Sequence, residues 1–514
     1  MVATRRHSRI TLPALLLATL AVSFAPVGAR ANGWEHGAVP FEALVAGLAS
    51  DDPGLRERSA QSLGYRGQRE AVEPILMALK DEPEPQVRSA LFAALGQLGD
   101  PRGVEPVAKC LVKESEVEVR AECAVALGGL SASVSSDALI DALDHDPSML
   151  VKSRVVDALG SFADETAVAT LIRLVGDSTH LGLHERAIPA LGRTGSPQAA
   201  PALLHALDRA GTDAERARIV DALGQLRLAM AVQPLTDLLA ETDHPILRLK
   251  IAVALGAIRD GSAYSTLVDL LADPSPAVRW FAIAGLDDLG DAHAAEPLRD
   301  LARSLDRPGR GPEDMLDNPL PALGDLSLET LALQALTRLD PAGSLDLFLV
   351  AARPLPVPAT STAGVALANA IYQKRRAALH GLGYTAVPAA TGLLAGPMGL
   401  GDSDPRLRAV AVRSLGVLGG PDASAQIMPM LRDPAAEVRW TAAMVLGRLG
   451  DPAAGPALTA ALDDDTSEVR RQAALALGYL LATEAADPLG RLAASDGSAA
   501  VRAAATEALR LISE

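Results

Sequence analysis

The sequence is poor in aromatic residues, in cysteine and in bases. Aromatic residues make up only 3% of the chain, so a core has to be built from Ala, Leu and Val. Such a core favours closely packed helices over a β-sandwich or barrel. The two cysteines exclude a disulfide-dense scaffold and a four-cysteine zinc site within one chain. With 47 Lys and Arg against 63 Asp and Glu, the net charge of −16 argues against general nucleic-acid binding.

The chain is nevertheless long and apolar enough to fold. It has 514 residues, of which 49% are hydrophobic. That length exceeds what one compact core supports, which indicates several domains or an array of repeats. After the first thirty residues no apolar run is long enough to cross a membrane.

The first residues have the order of a secretory signal peptide. Arg5, Arg6 and Arg9 precede an apolar run over 10–24, and Ala29-Arg30-Ala31 follows as a small-x-small cleavage site. The run is short for a membrane anchor. We therefore predict cleavage after Ala31, a mature chain without a membrane span, and a secreted or periplasmic location.

A ten-residue pattern returns along the rest of the chain. The segment 87–96 is echoed at 119–128, 438–447 and 469–478, and the same window fits fourteen places. The ninth position of the window is always leucine: Leu63, Leu95, Leu127, Leu159, Leu191, Leu223, Leu255, Leu286, Leu336, Leu379, Leu415, Leu446, Leu477 and Leu509. Chance composition does not produce such a column, so the chain is a repeat array.

Each repeat is predicted to be a pair of helices. Positions 1, 5 and 9 of the window are apolar, which is helical spacing, and position 8 is small, which lets a neighbouring helix approach. The glycine after the leucine suits a left-handed helix end. A second apolar run, such as 72–79, precedes the window. Neither helix can bury its apolar stripe alone, so the repeats are expected to stack.

The turn between the two helices often reads Asp-Pro, as at Asp433-Pro434, which suggests a helix cap. Position 2 of the window is basic in most repeats, from Arg56 to Arg502. These bases could form a binding ladder, or they could pair with the turn acids and tie each repeat to the next. Because acid and base recur together, we favour the structural Asp–Arg ladder.

The pattern Asp-Pro-x-x-x-Val-Arg-x-x-Ala-x-x-Ala-Leu-Gly-x-Leu-Gly-Asp, nearly complete over Asp433–Asp451, resembles the short HEAT repeat of the type associated with phycobilin lyases. The resemblance extends over roughly residues 38–512. It implies an all-α, right-handed α-solenoid of about fourteen stacked helix-turn-helix repeats. It says little about function, because such repeats serve scaffolds, adaptors and a few enzymes.

Breaks in the pattern divide the chain. Pro- and Gly-rich insertions at 303–326 and 352–363 read as exposed loops, and Glu329 and Tyr372 stand where a base is expected. The predicted parts are a signal peptide at 1–31, N-terminal repeats at 32–300, a degenerate part at 301–370 and C-terminal repeats at 371–514.

No known catalytic motif is present, and we predict no catalytic residue, metal ligand or cofactor. A HEAT-type enzyme that hydroxylates a modified lysine uses several His-Glu pairs to hold two irons. This chain has a single such pair, His184-Glu185, which does not support that activity. A bilin lyase would need a chromophore and a partner subunit, and the export signal argues against it.

Position 4 of the window should face outward from the second helix. In repeats four to seven it is basic, and aromatic residues follow at positions 3 and 4 of later repeats. The candidate binding residues are Arg154, Arg186, Arg218, Lys250, Trp280, Phe281 and Trp440. Exposed Arg and Trp are enriched at interface centres. Local pairing with Asp157 and Asp221, each three residues after a base, is the alternative.

These features favour an exported protein-interaction scaffold or adaptor whose partner, expected to be acidic, binds along the concave face that the second helices are expected to line. A lyase-like enzyme or a chaperone for a cofactor-bearing protein is the alternative, and a structural envelope component is a third. A deep pocket with converging polar groups would favour an enzyme, a broad groove a scaffold. Cys110 and Cys123 lie on facing helices of one repeat. They are either a disulfide or two buried thiols.

Overall fold

The computed structural model describes residues 39–130, 136–177, 181–305, 327–355 and 362–513. Within these ranges the regular structure is helical, without strands, and the helices form fourteen successive pairs. The predicted all-α solenoid of helix pairs is therefore confirmed. The chain forms two compact units, here called the N-terminal unit, up to Asp260, and the C-terminal unit, from Gly261. The signal segment, residues 306–326 of the first insertion and residues 356–361 of the second lie outside the described residues.

The N-terminal unit contains repeats 1 to 7. Odd-numbered helices are the first of each pair and even-numbered helices the second. The helices are α1 (Phe41–Gly47), α2 (Pro53–Arg66), α3 (Val72–Leu79), α4 (Pro85–Leu98), α5 (Val104–Lys113), α6 (Val117–Gly129), α7 (Asp137–His145), α8 (Met149–Leu159), α9 (Glu165–Gly176), α10 (Leu181–Arg193), α11 (Ala199–Arg209), α12 (Asp213–Leu226), α13 (Val232–Glu241) and α14 (Pro245–Ile258).

The C-terminal unit contains repeats 8 to 14, and several of its first helices are short and continued by a 3₁₀ turn. The helices are α15 (Tyr264–Asp269), α16 (Pro276–Leu289), α17 (Ala295–Leu305), α18 (Leu328–Leu339), α19 (Leu345–Ala351), α20 (Thr362–Tyr384), α21 (Pro388–Ala395), α22 (Pro405–Leu418), α23 (Ala423–Ile427), α24 (Ala436–Leu449), α25 (Gly455–Ala460), α26 (Ser467–Tyr479), α27 (Ala486–Ser495) and α28 (Ala499–Ser513).

Within each unit the second helices pack side by side in chain order, and each also packs on the first helix of its own repeat. The leucine column is the centre of this packing. Its members from Leu63 to Leu477 are fully or almost fully buried, and Leu509 at the C-terminal end is half-buried. Stacking thus removes from water the apolar stripes that a single repeat would expose.

The glycine after the column leucine has a different role from the one predicted. Gly96 lies inside α4, and a Cβ there would come within 2.7 Å of the Ala126 Cα on the next second helix. The helix ends three residues later, where Gly99 takes the left-handed conformation with φ 61°. The prediction of a helix end at Gly96 is wrong, because the close approach of neighbouring helices requires the glycine.

The Asp–Arg ladder is confirmed. In repeats 1 to 3 and 10 to 13 the base at position 2 pairs with an acid in the turn of the following repeat, and both side chains are largely buried. The pairs are Arg56–Glu82, Arg88–Glu114, Arg120–Asp146, Arg375–Asp402, Arg408–Asp433, Arg439–Asp464 and Arg470–Asp496. The hydrogen bond from Arg56 holds the pKa of Glu82 below its ordinary value.

The pair in repeats 11 and 12 shows how the ladder works. Nε and Nη2 of Arg408 each donate to Asp433 at 2.7 Å, and Nη1 donates to the carbonyl oxygens of Asp402 and Ser403. Asp433 also accepts from the Ala435 backbone N–H at 2.8 Å, while α24 begins only at Ala436. Asp433 therefore closes the turn and binds the arginine, and the prediction that it caps the helix is wrong.

The tenth repeat is shifted by three residues from the sequence-predicted window. A Cβ at Gly383 would lie 2.9 Å from the Ser414 Cα. This close approach is equivalent to that of Gly96 to Ala126 in the regular repeats. Position 2 is therefore Arg375, which binds Asp402, and the column leucine is Leu382. Tyr372 is not the position-2 residue, contrary to prediction. Both registers put apolar residues on the buried face of the long helix α20, so the pattern alone selected the wrong one.

At the ninth repeat the ladder is reversed. Glu329, at position 2, pairs with Lys374 of α20 at 2.6 Å, and both side chains are about nine-tenths buried. The acid that stands where a base is expected is therefore matched by a base on the next second helix.

Cys110 on α5 and Cys123 on α6 are joined by a disulfide, with their Cα atoms 6.2 Å apart. Both residues are buried between the two helices of repeat 3. The sequence left open whether these cysteines are bridged, and the packing of facing helices brings them within bridging distance.

Candidate functional site

The predicted basic row lies on consecutive second helices of the N-terminal unit. Arg154 is on α8, Arg186 on α10, Arg218 on α12 and Lys250 on α14. Arg154 is half-buried, and the side chains of Arg186, Arg218 and Lys250 are between 22% and 39% exposed. The structure thus places the four bases at one repeat position on neighbouring helices, as the sequence predicts.

Each base of this row faces an acid on the preceding second helix. Arg186 Nη1 lies 2.7 Å from Asp157 Oδ2, and Arg218 Nη2 lies 3.1 Å from Glu185 Oε1. Lys250 Nζ lies 2.7 Å from Asp221 Oδ2. The acids are therefore not paired within their own helix, because side-by-side packing brings the next repeat closer. We call this set of alternating charges the paired strip.

The paired strip is partly shielded from water. Burial raises the pKa of Asp221 above its ordinary value, against the lowering effect of Lys250. Burial likewise raises the pKa of Glu122, which the charge of Arg154 opposes. Asp221 and Glu122 thus differ from the ladder acid Glu82, whose pKa is lowered, because no guanidinium fork compensates their loss of water.

The aromatic candidates lie in the C-terminal unit and do not have the predicted exposure. Trp280 is 1% exposed and Phe281 9% exposed. Their rings meet edge to face, with centroids 5.2 Å apart. The expectation that they present a surface to a partner is wrong, because burying such large rings stabilises the fold. Trp440, at the same repeat position as Trp280, is half-buried.

A cleft of about 550 Å³ opens between α9, α10, α11 and the start of α12. Its polar lining includes His184, Glu185, His205, Glu215 and Arg218. His184 Nε2 lies 3.2 Å from Glu215 Oε1, and Arg218 pairs with Glu185. Two buried atoms, His184 Nδ1 and Arg218 Nε, have no hydrogen-bond partner among the described residues. The charged groups of the cleft are thus mostly engaged with one another.

The cleft lies where the ladder is interrupted. Position 2 of repeat 5 is His184 instead of an arginine, and the turn of repeat 6 has Ala210 where the matching acid would stand. Because both the arginine and its matching acid are absent, space is left between repeats 5 and 6. The sequence analysis missed this cleft, although the joint absence of base and acid was a visible signal.

In the described part of the chain, no cluster of three or more His, Cys, Asp or Glu side chains is arranged to hold a metal ion. None of the helices in the described ranges combines the length and hydrophobicity that a membrane crossing requires.

Stacked helix pairs joined by a ladder define an α-helical repeat solenoid. The family of HEAT repeats matches residues 41–128, 136–224, 203–273, 232–310, 398–478 and 424–510. The chain belongs to the HEAT repeat family. The comparison with curated proteins found no match to this chain.

Solved structures with similar folds include nuclear transport factors. A structure of the Kap95:Nup1 complex is 14% identical, with a TM-score of 0.56, covering 93% of this chain and 73% of that one. A structure of Kap95p with RanGDP is 13% identical, with a TM-score of 0.48, covering 92% of this chain and 66% of that one. Human deoxyhypusine hydroxylase is 23% identical, with a TM-score of 0.21, covering 68% of this chain and 96% of that one. At 14% identity, the likeness to the Kap95:Nup1 structure shows the fold alone, and no argument rests on the two structures with the lower TM-scores.

Proposed function

We propose that this chain is an exported, non-enzymatic scaffold that binds a protein partner along the outward face of its second helices. The observation that carries the proposal is the side-by-side order of these helices within each unit. Because equal repeat positions fall on neighbouring helices, the outward residues form continuous rows. Such rows suit an extended partner better than a small substrate.

The paired strip supplies chemistry for recognition in the N-terminal unit. Alternating acids and bases at fixed spacing select a complementary pattern of charges, which gives specificity more than affinity. The candidate residues Arg154, Arg186, Arg218 and Lys250 belong to this strip. Since each base is matched by an acid, the strip by itself does not favour an acidic partner. The expected acidic character of the partner rests on bases of the C-terminal unit.

The Kap95:Nup1 complex gives a parallel, because there a solenoid of the same fold associates with another protein. No nucleic-acid partner is proposed, because acids outnumber bases in the chain.

Two features support export. The sequence order of residues 1–31 is that of a signal peptide. The Cys110–Cys123 disulfide suits an oxidising compartment such as the periplasm or the cell exterior.

We expect the exported protein to begin at Asn32. N-terminal sequencing of the protein recovered from the periplasm or culture medium checks this, since Ala29-x-Ala31 is the small-x-small site. Recovery of the intact Met1 terminus, or of the protein only inside the cytoplasm, would contradict export.

We expect a partner to crosslink to the second helices and not to the first. A photoreactive benzoylphenylalanine at Ala217, beside Arg218 on α12, is compared with one at the exposed Gln233 on α13. Irradiation in the native exported fraction, followed by mass spectrometry, should give a specific adduct at 217 alone. Equal adducts at both positions, or none at 217, would count against the proposal.

A further inference from the structure

The C-terminal unit carries bases on its second helices that have no acidic partner. Arg376 on α20, Arg413 on α22 and Arg448 on α24 form no ion pair with any other described residue. Arg376 and Arg448 are exposed, and Arg413 is half-buried. The ladder arginines, by contrast, each bind an acid.

The corrected register of repeat 10 places His380 beside two of these bases, Arg376 and Arg413. Arg376 and His380 are four residues apart, on one face of α20. Gly383 of α20 lies against Ser414 of α22. His380 stands three residues before Gly383 and Arg413 one before Ser414, so both occupy position 7 of their repeats. His380 and Arg413 therefore lie on adjacent helices at the same level.

The pKa of His380 responds to the charges of these neighbouring groups. Partial burial of the His380 ring, together with the positive charges of Arg376, Arg413 and Arg338, lowers the pKa of His380 below its ordinary value. Arg338 is itself paired with Asp287. The other two guanidinium groups repel a proton on the imidazole, so the cluster is an uncompensated positive field.

Apolar and aromatic side chains surround the bases. The Tyr384 ring meets His380 edge to face at 5.0 Å and is 40% exposed. Val417 on α22 is 50% exposed, and Trp440 on α24 is half-buried. Exposed bases interleaved with aromatic rings have the composition of an interface core rather than of ordinary solvated surface.

No acid stands at positions 3, 7 and 11 of repeats 10 to 12, where all residues except the buried Ala409 are exposed or half-buried. The residues at these positions are Arg376, His380, Tyr384, Ala409, Arg413, Val417, Trp440, Met444 and Arg448. Glu437, in the first turn of α24, lies one turn before Trp440. In a chain with 63 acids and 47 bases, such a surface departs from the composition of the whole.

We propose that this surface, the cationic patch of Arg376, His380, Arg413, Tyr384 and Trp440, binds a protein segment in which Asp or Glu alternates with apolar side chains. The carboxylates would pair with the free guanidinium groups in charge-assisted hydrogen bonds. The apolar side chains would cover Tyr384 and Val417. The inference rests on the proposed scaffold function and names the surface and the partner chemistry.

A labelled peptide tests this directly. The probe is a fluorescein-labelled peptide of about twelve residues in which Glu alternates with Leu and Phe, and its Gln-for-Glu analogue is the uncharged comparison. Binding to the purified mature chain is followed by fluorescence anisotropy at low and moderate salt. A single-stranded DNA of similar length is the competing polyanion.

The variant Arg376→Ala/Arg413→Ala should weaken binding of the acidic peptide by about tenfold or more, since two charge-assisted contacts are lost. The matched control, Arg432→Ala/Arg491→Ala, removes two exposed bases from the layer of first helices in the same unit. It should change affinity by less than about twofold, and added salt should weaken wild-type binding through screening. Neither pair belongs to the ladder, so circular dichroism should show the wild-type fold for both.

Several outcomes would overturn the inference. These are no binding of the acidic peptide, equal binding of the Gln analogue, an equal loss in the control, or tighter binding of DNA. The chain could also associate with itself through its own acidic residues. If the patch variant abolished such self-association, the patch would be assigned to contact with a second copy, and this result would also overturn the inference. A partner that still crosslinks at position 217 while the patch fails these tests would leave the scaffold function standing.

Discussion

Replacing Arg120 by methionine should lower the free energy of unfolding by about 3 kcal/mol, because it leaves Asp146 charged and largely buried without its partner. Arg120 Nε lies 2.7 Å from Asp146 Oδ2, and the two side chains are 11% and 6% exposed. Its Nη1 also donates to the carbonyl oxygens of Glu114 and Ser115. The substitution therefore loosens both the contact between repeats 3 and 4 and the turn of repeat 3.

Lys109→Met in the same repeat is the matched control. Lys109 pairs with Glu105, but both side chains are more than half exposed, and the change should cost under about 1 kcal/mol. Urea denaturation followed by circular dichroism gives both values. Equal losses in the two variants would show that the ladder does not hold the repeats together.

The cost of Arg120→Met should shrink in acid. Burial pushes the pKa of Asp146 up, but hydrogen bonds from Arg120 and the Ser148 backbone outweigh it, so the pKa lies below its ordinary value. A lowered pKa stabilises the native state above the ordinary range of aspartate, and this stabilisation is lost as pH falls through the folded pKa. In the variant, Arg120 no longer offsets the effect of burial on the pKa of Asp146. Mild acid therefore protonates the unpaired carboxylate and removes its charge. Unfolding curves at neutral pH and at about pH 4 check whether the free energies of unfolding of wild type and variant converge in acid.

Leu191→Ala should cost about 2–5 kcal/mol through a cavity in the leucine column. Leu191 is fully buried on α10, between repeats on either side. Leu150→Ala is the control, because Leu150 is 44% exposed on α8 and its loss should cost under about 1 kcal/mol. Thermal unfolding and urea midpoints measure the difference. Similar midpoints for the two variants would contradict a shared core along the column.

Since neighbouring repeats stabilise one another, the destabilisation caused by Leu191→Ala should extend to the adjacent repeats. Stability of such arrays comes from each repeat and from its interfaces with the next. Hydrogen exchange should therefore show faster exchange in α8 and α12 as well as in α10, and unchanged exchange in the C-terminal unit. Faster exchange confined to α10 would indicate repeats that fold independently.

The sequence alone determined the repeat, its two helices and the leucine column, because burial of an apolar stripe imposes a helical period that can be read from one chain. It also predicted the ladder, since Arg120 and Asp146 have to recur together to neutralise each other. It misplaced the helix end at Gly96 and the register of α20, because small and apolar residues at helical spacing fit more than one alignment.

Contacts between repeats were decided only by the tertiary structure. The sequence placed Arg186 and Arg218 on a common row, but the partners Asp157 and Glu185 became visible only when neighbouring helices were packed. The burial of Trp280 and the juxtaposition of His380 with Arg413 likewise depend on how one helix lies against the next. Periodicity fixes which face of a helix is buried, whereas the depth of burial and the pairing of charges depend on distances that packing sets.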